Sequence, residues 1–244
     1  MISKSKIKLI KSLKYKKTRE ELNLFLVEGL KGITEVNNSR YDIQFTVISK
    51  RIYDMHKKNL PNDNIFILEE KEIKELSSLK NNLVGFSVVK SLINNQALNK
   101  LENITIVLDS IGDPGNLGTI IRNADWFGIK NIICSNDTVD FYNPKTIQSS
   151  MGSFTRVNVI YKDLDLFFKK NTLKVYGTSS NQNQNYKKNE NFSGILLFGS
   201  ESHGISKNLI KYVDEWLSIK KVGSAESLNV SVATGILLND LINN

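Results

Sequence analysis

The sequence predicts an α/β protein built on a mainly parallel sheet, and two observations lead to that prediction. Short apolar, β-branched runs alternate with helical patterns through most of the 244 residues. Three glycine-containing loops follow such runs, and in a parallel sheet the loops at the carboxyl ends of the strands hold the ligand. A hydrophobic content of 40% is enough for one large or two small cores, and we expect two domains.

The chain begins with a basic segment. Eight lysines and arginines come before the first acidic residue, and Ile7, Ile10 and Leu13 give the segment a helical period. Such a segment is a candidate contact surface for a polyanion, although a solvated helix face would have the same composition.

The rest of the first part alternates strand-like runs with amphipathic stretches, which is typical of a small α/β domain. Its elements are LFLVEG, GLKGITEV, IQFTVIS, NIFILE, KEIKELSSL and LVGFSVVK. A polar, asparagine-rich stretch follows them and indicates a linker. We predict an N-terminal domain at residues 1–92 and a linker at residues 93–103.

The second part, residues 104–244, contains six strand-like runs separated mostly by helical patterns, which favours a parallel sheet covered on both faces. The runs are ITIVLD, NIICS, VNVIY, KVYGTS, GILLFG and WLSIK. The polar stretch at residues 181–191 lies between two of them and is predicted to form an exposed loop.

Composition narrows the classes of partner and site. Basic residues outnumber acidic residues by 33 to 25, for a net charge of +8, which favours RNA, DNA or anionic lipid as a partner. No apolar stretch approaches the ~20 residues of a membrane span, and no signal-like segment follows the basic start, so we expect a cytoplasmic protein. One cysteine and two histidines are too few for a Cys/His zinc site or a disulfide framework within the chain. No metal is expected.

The first glycine loop is contained in DSIGDPGNLGTIIRNADWFG, residues 109–128, after an apolar strand. A strand, a glycine-rich turn and a helix form the general layout of a phosphate or nucleotide site. However, Gly112, Gly115 and Gly118 are spaced by three, so neither the dinucleotide fingerprint nor the P-loop matches. A nicotinamide-dependent or nucleotide-binding α/β enzyme is therefore a disfavoured alternative.

The helix of this first stretch carries two polar side chains of interest. Asn116 is predicted to be the N-cap of a helix that begins near Leu117. Arg122 follows about one turn later, where it either reaches back toward the loop or pairs with Asp125 at i+3. The buried stripe of the helix is predicted to consist of Leu117, Ile120, Ile121, Ala124 and Phe127.

The second loop, FGSESHGIS at residues 198–206, follows the apolar run GILLFG. Gly199 and Gly204 allow close backbone approach or a positive φ, and Glu201 places a carboxylate at a strand end. An ordinary turn with a capping acid would have the same sequence. The serine and histidine of this loop do not lie in a G-x-S-x-G motif, which excludes the nucleophile elbow of a hydrolase.

The third loop lies in KVGSAESLNVSVATGILL, residues 221–238. Ser227 or a neighbour is predicted to open a helix, and Asn229 falls in its first turn. Polar side chains at such positions are usually caps, so each of the three loops has an ordinary structural explanation when it is taken alone. The apolar face of the helix is predicted to carry Val230, Ala233, Leu237 and Leu238.

Taken in order, NLGTIIRNADWFG, LLFGSESHG and ESLNVSVATGILL resemble the three signature motifs of the SpoU (TrmH-type) RNA 2'-O-ribose methyltransferases of the SPOUT class. This resemblance covers residues 103–244. Over a shorter stretch, FLVEGLKGITEV resembles the substrate-binding domain of that family, which has an L30e-like (ribosomal-protein-L30-like) fold. The resemblance implies a C-terminal α/β-knot, a deep trefoil knot on the parallel sheet, that binds S-adenosyl-L-methionine (AdoMet). It also implies a homodimer in which each site is completed across the interface.

The resemblance further implies the residues that hold the cofactor and the target nucleotide. The adenosine pocket is expected to involve, largely through backbone atoms, Thr178, Gly199, Ile219 and Leu228. The residues expected to orient the target nucleotide and the catalytic arginine are Asn116, Glu201, Ser227 and Asn229.

Arg122 is the residue that the resemblance places at the ribose 2'-hydroxyl. A guanidinium is normally an obligate hydrogen-bond donor. Arg122 therefore either acts as the base, as proposed for the family, or clamps the target phosphate and activates the hydroxyl electrostatically. In both roles, replacement by lysine is expected to cause a severe loss of activity.

One departure from the family pattern lies before the third loop, where Ile219, Lys220 and Lys221 replace the usual Ile-Pro-Met. Two cations beside the cofactor loop are expected either to change cofactor affinity or the shape of the loop, or to contact RNA. They leave open the alternative of a non-catalytic RNA-binding or ribosome-assembly protein with the same fold. Ribosomal RNA rather than tRNA is the expected substrate, because the N-terminal domain resembles that of the rRNA-directed members.

Overall fold

The computed structural model describes residues 2–79, 81–92, 103–180 and 192–242. It divides into two compact units, of which the first comprises Met1–Ile93 and Asp140–Thr155 and the second comprises Asn94–Val139 and Arg156–Asn244. Nearly all of the predicted linker and the whole of the loop predicted at 181–191 lie outside the described residues. The division made from the sequence assigned Asp140–Thr155 to the second domain, whereas the structure places this segment in the first unit.

The described residues contain ten strands and ten α-helices. The strands are β1 (Leu24–Glu28), β2 (Ile43–Ser49), β3 (Ile65–Leu68), β4 (Gly85–Lys90), β5 (Ile104–Leu108), β6 (Asn131–Ser135), β7 (Asn158–Lys162), β8 (Val175–Thr178), β9 (Gly194–Phe198) and β10 (Glu215–Leu217). The helices are α1 (Lys4–Ser12), α2 (Lys16–Leu22), α3 (Leu30–Asn37), α4 (Lys50–His56), α5 (Glu70–Leu76), α6 (Pro114–Trp126), α7 (Pro144–Ser149), α8 (Leu164–Lys169), α9 (Lys207–Ile210) and α10 (Val230–Ile242).

The first unit is built on a four-stranded sheet in the order β1-β4-β2-β3, antiparallel except for the β2–β3 pair. Ile10 of helix α1 and Leu13, which caps that helix, are buried in the core of this unit together with Phe45 and Phe86. The helical period predicted for the basic segment is confirmed, and most of its lysines are exposed.

The segment Asp140–Thr155 joins the first unit through aromatic packing. The ring centroid of Phe25 lies 4.5 Å from that of Tyr142 and 6.1 Å from that of Phe154. These contacts connect distant parts of the chain, so no local pattern in the sequence indicated them. The segment contributes helix α7 to the first unit.

The second unit is built on a six-stranded sheet in the order β10-β8-β9-β5-β6-β7, with every neighbouring pair parallel. The predicted mainly parallel sheet is thereby confirmed. Leu217 is in register with Thr178, and Phe198 is in register with Leu108. The carboxyl ends of β10, β8, β9 and β5 therefore lie side by side, and the three glycine loops leave the sheet there.

Helix α6 begins at Pro114, earlier than predicted. Its N-cap is Asp113, whose Oδ1 accepts a 3.0 Å hydrogen bond from the backbone N of Asn116, so the prediction of Asn116 as N-cap is wrong. Asp113 takes this role because proline, with its fixed φ and missing N–H, favours the first helical position directly after the cap. Of the predicted stripe, Phe127 is half-buried at the helix end, and four residues are fully buried: Leu117, Ile120, Ile121 and Ala124.

Helices α6 and α10 pack against each other. The side-chain amide of Asn123 donates a 2.8 Å hydrogen bond to the carbonyl of Ser231, and a Cβ at Gly235 would lie 3.3 Å from the same amide nitrogen. The contact brings the helix after β5 against the helix after β10. Among the described residues, no helix has the length and apolar character needed to cross a membrane.

Candidate active site

Three side chains from the three glycine loops meet in one hydrogen-bonded cluster. The side-chain amide of Asn116 donates to Glu201 Oε1 over 2.7 Å. The amide of Asn229 donates to the same oxygen over 2.8 Å and to Asn116 Oδ1 over 2.9 Å. We call this triangle of two amides and one carboxylate the loop junction, since it fixes the three loops relative to one another.

The loop junction leaves one acceptor unused. Both amides donate to Oε1 of Glu201, and no other described residue donates to its Oε2. Glu201 and Asn229 are exposed and Asn116 is half-buried. The junction therefore presents an oriented carboxylate oxygen at the surface of the second unit, where a substrate hydroxyl can reach it.

A buried carboxylate anchors the start of the first loop. Asp109 is 3% exposed, and its Oδ2 accepts a 2.7 Å hydrogen bond from the backbone N of Ser206, at the end of the second loop. The next residue, Ser110, has a φ of +58°, which is uncommon for a non-glycine residue. Its Oγ lies 2.6 Å from Asp137 Oδ2 and 3.1 Å from Asp109 Oδ1, and its single proton is shared between these two acceptors. Sequence reasoning missed Asp109, although an aspartate directly after a strand was a visible signal.

The second loop closes on itself between Ser200 and Gly204, which exchange backbone hydrogen bonds of 3.0 and 2.9 Å. A Cβ at Gly199 would lie 2.0 Å from the carbonyl carbon of Gly204, so only glycine fits there. Gly204 itself has a φ of +66°. Close backbone approach and positive φ, both predicted for this loop, are confirmed at one glycine each. The tight turn that results presents Glu201 to the junction.

In the third loop, Asn229 is both the N-cap of α10 and a member of the junction. Its Oδ1 accepts hydrogen bonds from the backbone N and the Oγ of Ser231, over 3.0 and 2.6 Å. Ser227 and Leu228 precede the helix in the exposed segment 221–229. Ser227 makes no hydrogen bond to any other described residue, so the structure does not bring it into the junction.

Arg122 makes no contact with the loop junction. Its side chain is exposed, and no hydrogen bond or ion pair joins it to another described residue. The pair with Asp125 does not form, because Arg156 binds that carboxylate over 2.8 to 3.1 Å. At about 100° of rotation per residue, Arg122 lies about 120° around α6 from Asn116. The two side chains therefore leave different faces of the helix.

The residues expected around the adenosine lie at or beyond neighbouring strand ends. Thr178 ends β8, Gly199 follows β9 and Ile219 follows β10. Thr178 Oγ1 donates a 3.1 Å hydrogen bond to the carbonyl of Leu197. Ile219 is half-buried and Leu228 is 47% exposed. Aliphatic side chains beside exposed loop backbone suit the apolar faces and the polar edge of an adenine ring.

The described residues include a thiol and side chains of the types that ligate metals. They contain no group of three or more His, Cys, Asp and Glu side chains placed to hold a metal ion. Cys134 is fully buried in β6, and this burial raises the pKa of its thiol far above the ordinary value. A thiol in that state is a poor nucleophile.

Comparison with protein families gives two matches. The SpoU rRNA Methylase family matches residues 103–239, which include all three glycine loops. The MRM3-like substrate binding domain matches residues 4–82, which include the basic segment.

Two curated relatives illustrate the similarity. RlmP of Bacillus subtilis (strain 168), named a 23S rRNA (guanosine(2553)-2'-O)-methyltransferase, is 30% identical over 247 residues, which cover 97% of this chain and 95% of RlmP. RlmB of Blochmanniella floridana, named a 23S rRNA (guanosine-2'-O-)-methyltransferase, is 35% identical over 150 residues, which cover 59% of each chain.

Solved structures share the whole architecture. The AdoMet-bound rRNA methyltransferase of Sinorhizobium meliloti aligns with a TM-score of 0.80 at 25% identity, over 99% of this chain and 96% of its own. The SpoU methyltransferase AviRb of Streptomyces viridochromogenes, in complex with AdoMet, aligns with a TM-score of 0.84 at 20% identity, over 99% and 98%. The first family match spans more than half of the chain, and RlmP aligns over nearly all of it. The chain therefore belongs to the SpoU rRNA methylase family.

Proposed function

We propose that this chain transfers the methyl group of AdoMet to the 2'-hydroxyl of one ribose in 23S rRNA. Membership of the family gives the class, an AdoMet-dependent RNA ribose 2'-O-methyltransferase. The rRNA substrate is supported by the names of relatives that align over most of their length. The net charge of +8 is consistent with it, because neutralisation of phosphates supplies much of the affinity for RNA.

The loop junction is the observation that supports this proposal most directly. Three residues that the family resemblance assigned to the target nucleotide lie in three separate loops, and in the structure they bond to one another over 2.7 to 2.9 Å. Catalysis of a group transfer requires that the reacting atoms be held in one geometry. A cluster that locks all three loops together provides the rigid frame for that.

AdoMet, when bound, supplies an electrophilic methyl group, and the residues that suit its adenosine are Thr178, Gly199, Ile219 and Leu228. The task of the chain is to orient the ribose oxygen and to favour the loss of its proton. We assign Glu201 Oε2 to accept the hydrogen bond of the ribose 2'-hydroxyl and to take up its proton as the methyl group is transferred. The amides of Asn116 and Asn229 hold that carboxylate in place through Oε1.

We assign Arg122 the role of a phosphate clamp rather than of a base. A guanidinium keeps its proton in proteins and offers a rigid fork of donors that matches a phosphate. Bound to the phosphate beside the target ribose, it stabilises the negative charge that develops on the 2'-oxygen. Its exposed position without a partner in the described residues leaves it available for this contact.

The active unit of this proposal is a homodimer in which Arg122 faces the loops of the partner subunit. Trp126 and Val232, on α6 and α10, are 83% and 49% exposed, and exposed apolar groups of this size favour a protein interface. The dimer accounts for the absence of any contact between Arg122 and the loop junction of its own chain. Sedimentation of the Trp126→Arg variant, which is expected to run as a monomer, tests it.

The finer features of the fold also belong to the proposal. The path of the chain supports a trefoil knot. Helix α10 follows the edge strand β10, but it packs on α6, which follows β5. In the sheet, β5 lies three strands away from β10. The sheet of the first unit, with helices packed on it, suits an L30e-like RNA-binding domain. A cytoplasmic location, where bacterial rRNA is modified, is part of the proposal.

Mapping of ribose methylation across total RNA, with and without the gene, tests the proposed function. A site in 23S rRNA is expected to disappear on deletion, to return with the wild-type gene and to stay absent with Arg122→Ala. Calorimetry with AdoMet distinguishes the proposed enzyme from the non-catalytic RNA-binding protein that Lys220 and Lys221 left open as an alternative. No binding at millimolar AdoMet, together with an unchanged methylation map, would overturn the proposal.

A further inference from the structure

The turn between α1 and α2 exposes an aromatic ring. Tyr15 is 70% exposed, its hydroxyl makes no hydrogen bond to another described residue, and its ring makes no aromatic or cation–π contact with one. A tyrosine side chain that packs in a protein buries roughly 150 to 250 Å² of its surface, and its hydroxyl prefers a hydrogen-bond partner. A ring presented to solvent on an ordered turn is therefore a candidate contact for a ligand with an apolar face.

The turn that carries Tyr15 is fixed from below by a buried arginine. The guanidinium of Arg19, which is 5% exposed, donates to the carbonyls of Leu13 and Lys14 over 3.0 and 2.9 Å. The same guanidinium donates to Asp140 Oδ2 over 3.1 and 2.6 Å. Because the two carbonyls that precede Tyr15 are held in this way, binding through the ring requires little further ordering of the backbone.

A stripe of lysines lies on the helix before the ring. Lys4, Lys8 and Lys11 are spaced by four and three on one face of α1, and Tyr15 lies in the turn that follows this helix. All three lysines are exposed, and none has an ion-pair partner in the part of the chain that the structure describes. The acidic residues that are nearest in the sequence form ion pairs with other lysines: Glu20 pairs with Lys16, and Glu21 pairs with Lys17. None of the three lysines of the stripe is therefore neutralised by an ion pair with a described residue.

We propose that this surface, made of Tyr15 and the stripe Lys4, Lys8 and Lys11, binds an unpaired stretch of RNA. The ring of Tyr15 stacks on one base, and the lysines neutralise the phosphates that follow it. Aromatic stacking beside a basic track is the general mode of single-strand recognition, and a duplex does not offer its base faces. The inference rests on the proposed function, and it adds that the rRNA is recognised at a loop or bulge by the first unit.

Binding of the full-length protein to a fluorescein-labelled RNA of about twelve nucleotides, single-stranded or in a perfect duplex, tests the inference. Fluorescence anisotropy is expected to show tighter binding to the single strand. Tyr15→Ala is expected to weaken single-strand binding about tenfold, as stacking of one base does, with little change for the duplex. Tyr15→Phe keeps the ring and is expected to bind as the wild type does. Leu22→Ala, at an exposed apolar residue that ends α2, is the matched control and is expected to have no effect.

The salt dependence of binding separates the two parts of the surface. Replacement of all three lysines of the stripe by alanine is expected to reduce the slope of log affinity against log salt by about 2, while Tyr15→Ala leaves the slope unchanged. Equal losses for single strand and duplex with Tyr15→Ala, or an unchanged slope in the lysine variant, would overturn the inference. These measurements involve no methyl transfer. A protein that binds as expected but methylates no rRNA contradicts the proposed function and leaves this inference standing.

Discussion

The side-chain amide of Asn229 donates a 2.8 Å hydrogen bond to the carboxylate of Glu201, which joins the loop after β10 to the loop after β9. The other end of the same side chain caps α10 through Oδ1. One residue therefore couples the start of a helix to the orientation of the loop junction, and the two ends can be separated by substitution.

Asn229→Asp keeps the capping oxygen and removes the amide donor. A carboxylate suits a helix N-terminus, so the melting temperature is expected to change by less than about 3 °C. The new charge lies against Glu201 and disrupts the junction. Because a misplacement of about 1 Å can cost about 100-fold in rate, methyl transfer to rRNA is expected to fall by that order. Wild-type turnover in this variant would show that the junction is dispensable.

Arg122→Lys tests the clamp against a matched arginine. Both Arg122 and Arg156 are exposed on the second unit, but Arg156 is occupied by Asp125. Arg122→Lys is expected to lower turnover about 100-fold, because lysine cannot bind a phosphate with a planar fork, and to leave stability unchanged. Arg156→Lys is expected to retain activity. Equal activities in the two variants would remove Arg122 from the mechanism.

The sequence predicted the sheet and the three loops of the second unit, but not the hydrogen bonds that connect these loops to one another. Strand runs and glycine loops are local patterns, so the parallel sheet and the three loops followed from them. The N-cap of α6 was predicted to be Asn116, because the preference of Pro114 for the first helical position, which makes Asp113 the cap, was not taken into account. The bond from Ser206 to Asp109 spans 97 positions, and no local pattern indicated it. Arg122 was identified by family resemblance, and only the structure showed that it has no hydrogen-bond or ion-pair partner among the described residues.

Gly199→Ala is expected to deform the second loop. The added Cβ would lie 2.0 Å from the backbone of Gly204, whereas a Cβ at Gly112 would have no atom within 4 Å. Calorimetry is expected to show a loss of AdoMet affinity of at least about tenfold and a lower melting temperature for Gly199→Ala, because backbone atoms must shift. Gly112→Ala is the control and is expected to melt as the wild type does. A Gly199→Ala protein that binds AdoMet normally would contradict the assignment of this loop to the cofactor.

Asp137 gives a pH dependence to stability. Hydrogen bonds from Ser110, and then from Ser135, hold the pKa of this carboxyl below its ordinary value. A depressed pKa stabilises the fold above the pKa of the unfolded chain, and that contribution is lost as the pH falls through the folded value. Ser110→Gly removes the hydroxyl and suits the positive φ at this position. The free energy of unfolding of this variant is expected to be lower than that of the wild type near neutral pH, and the difference between the two is expected to shrink as the pH falls below about 4. A deficit that is constant with pH would contradict the role of this hydrogen bond.

Asp109 is expected to set the distance between the first and second loops. Its Oδ2 accepts from the backbone N of Ser206 over 2.7 Å at a buried position. Asp109→Ala leaves that N–H without an acceptor, and an unsatisfied buried donor costs about 1 to 3 kcal/mol. Denaturation by urea is expected to show a loss of stability of this order, and calorimetry is expected to show a weaker affinity for AdoMet.

Asp109→Asn keeps a side-chain oxygen for Ser206, so it is expected to lose less stability and less AdoMet affinity than Asp109→Ala. Binding of the short single-stranded RNA to the surface made of Tyr15 and the lysine stripe is expected to stay unchanged in both variants, because that surface lies in the first unit. An Asp109→Ala protein with wild-type AdoMet affinity would mean that the cofactor site tolerates movement between the two loops.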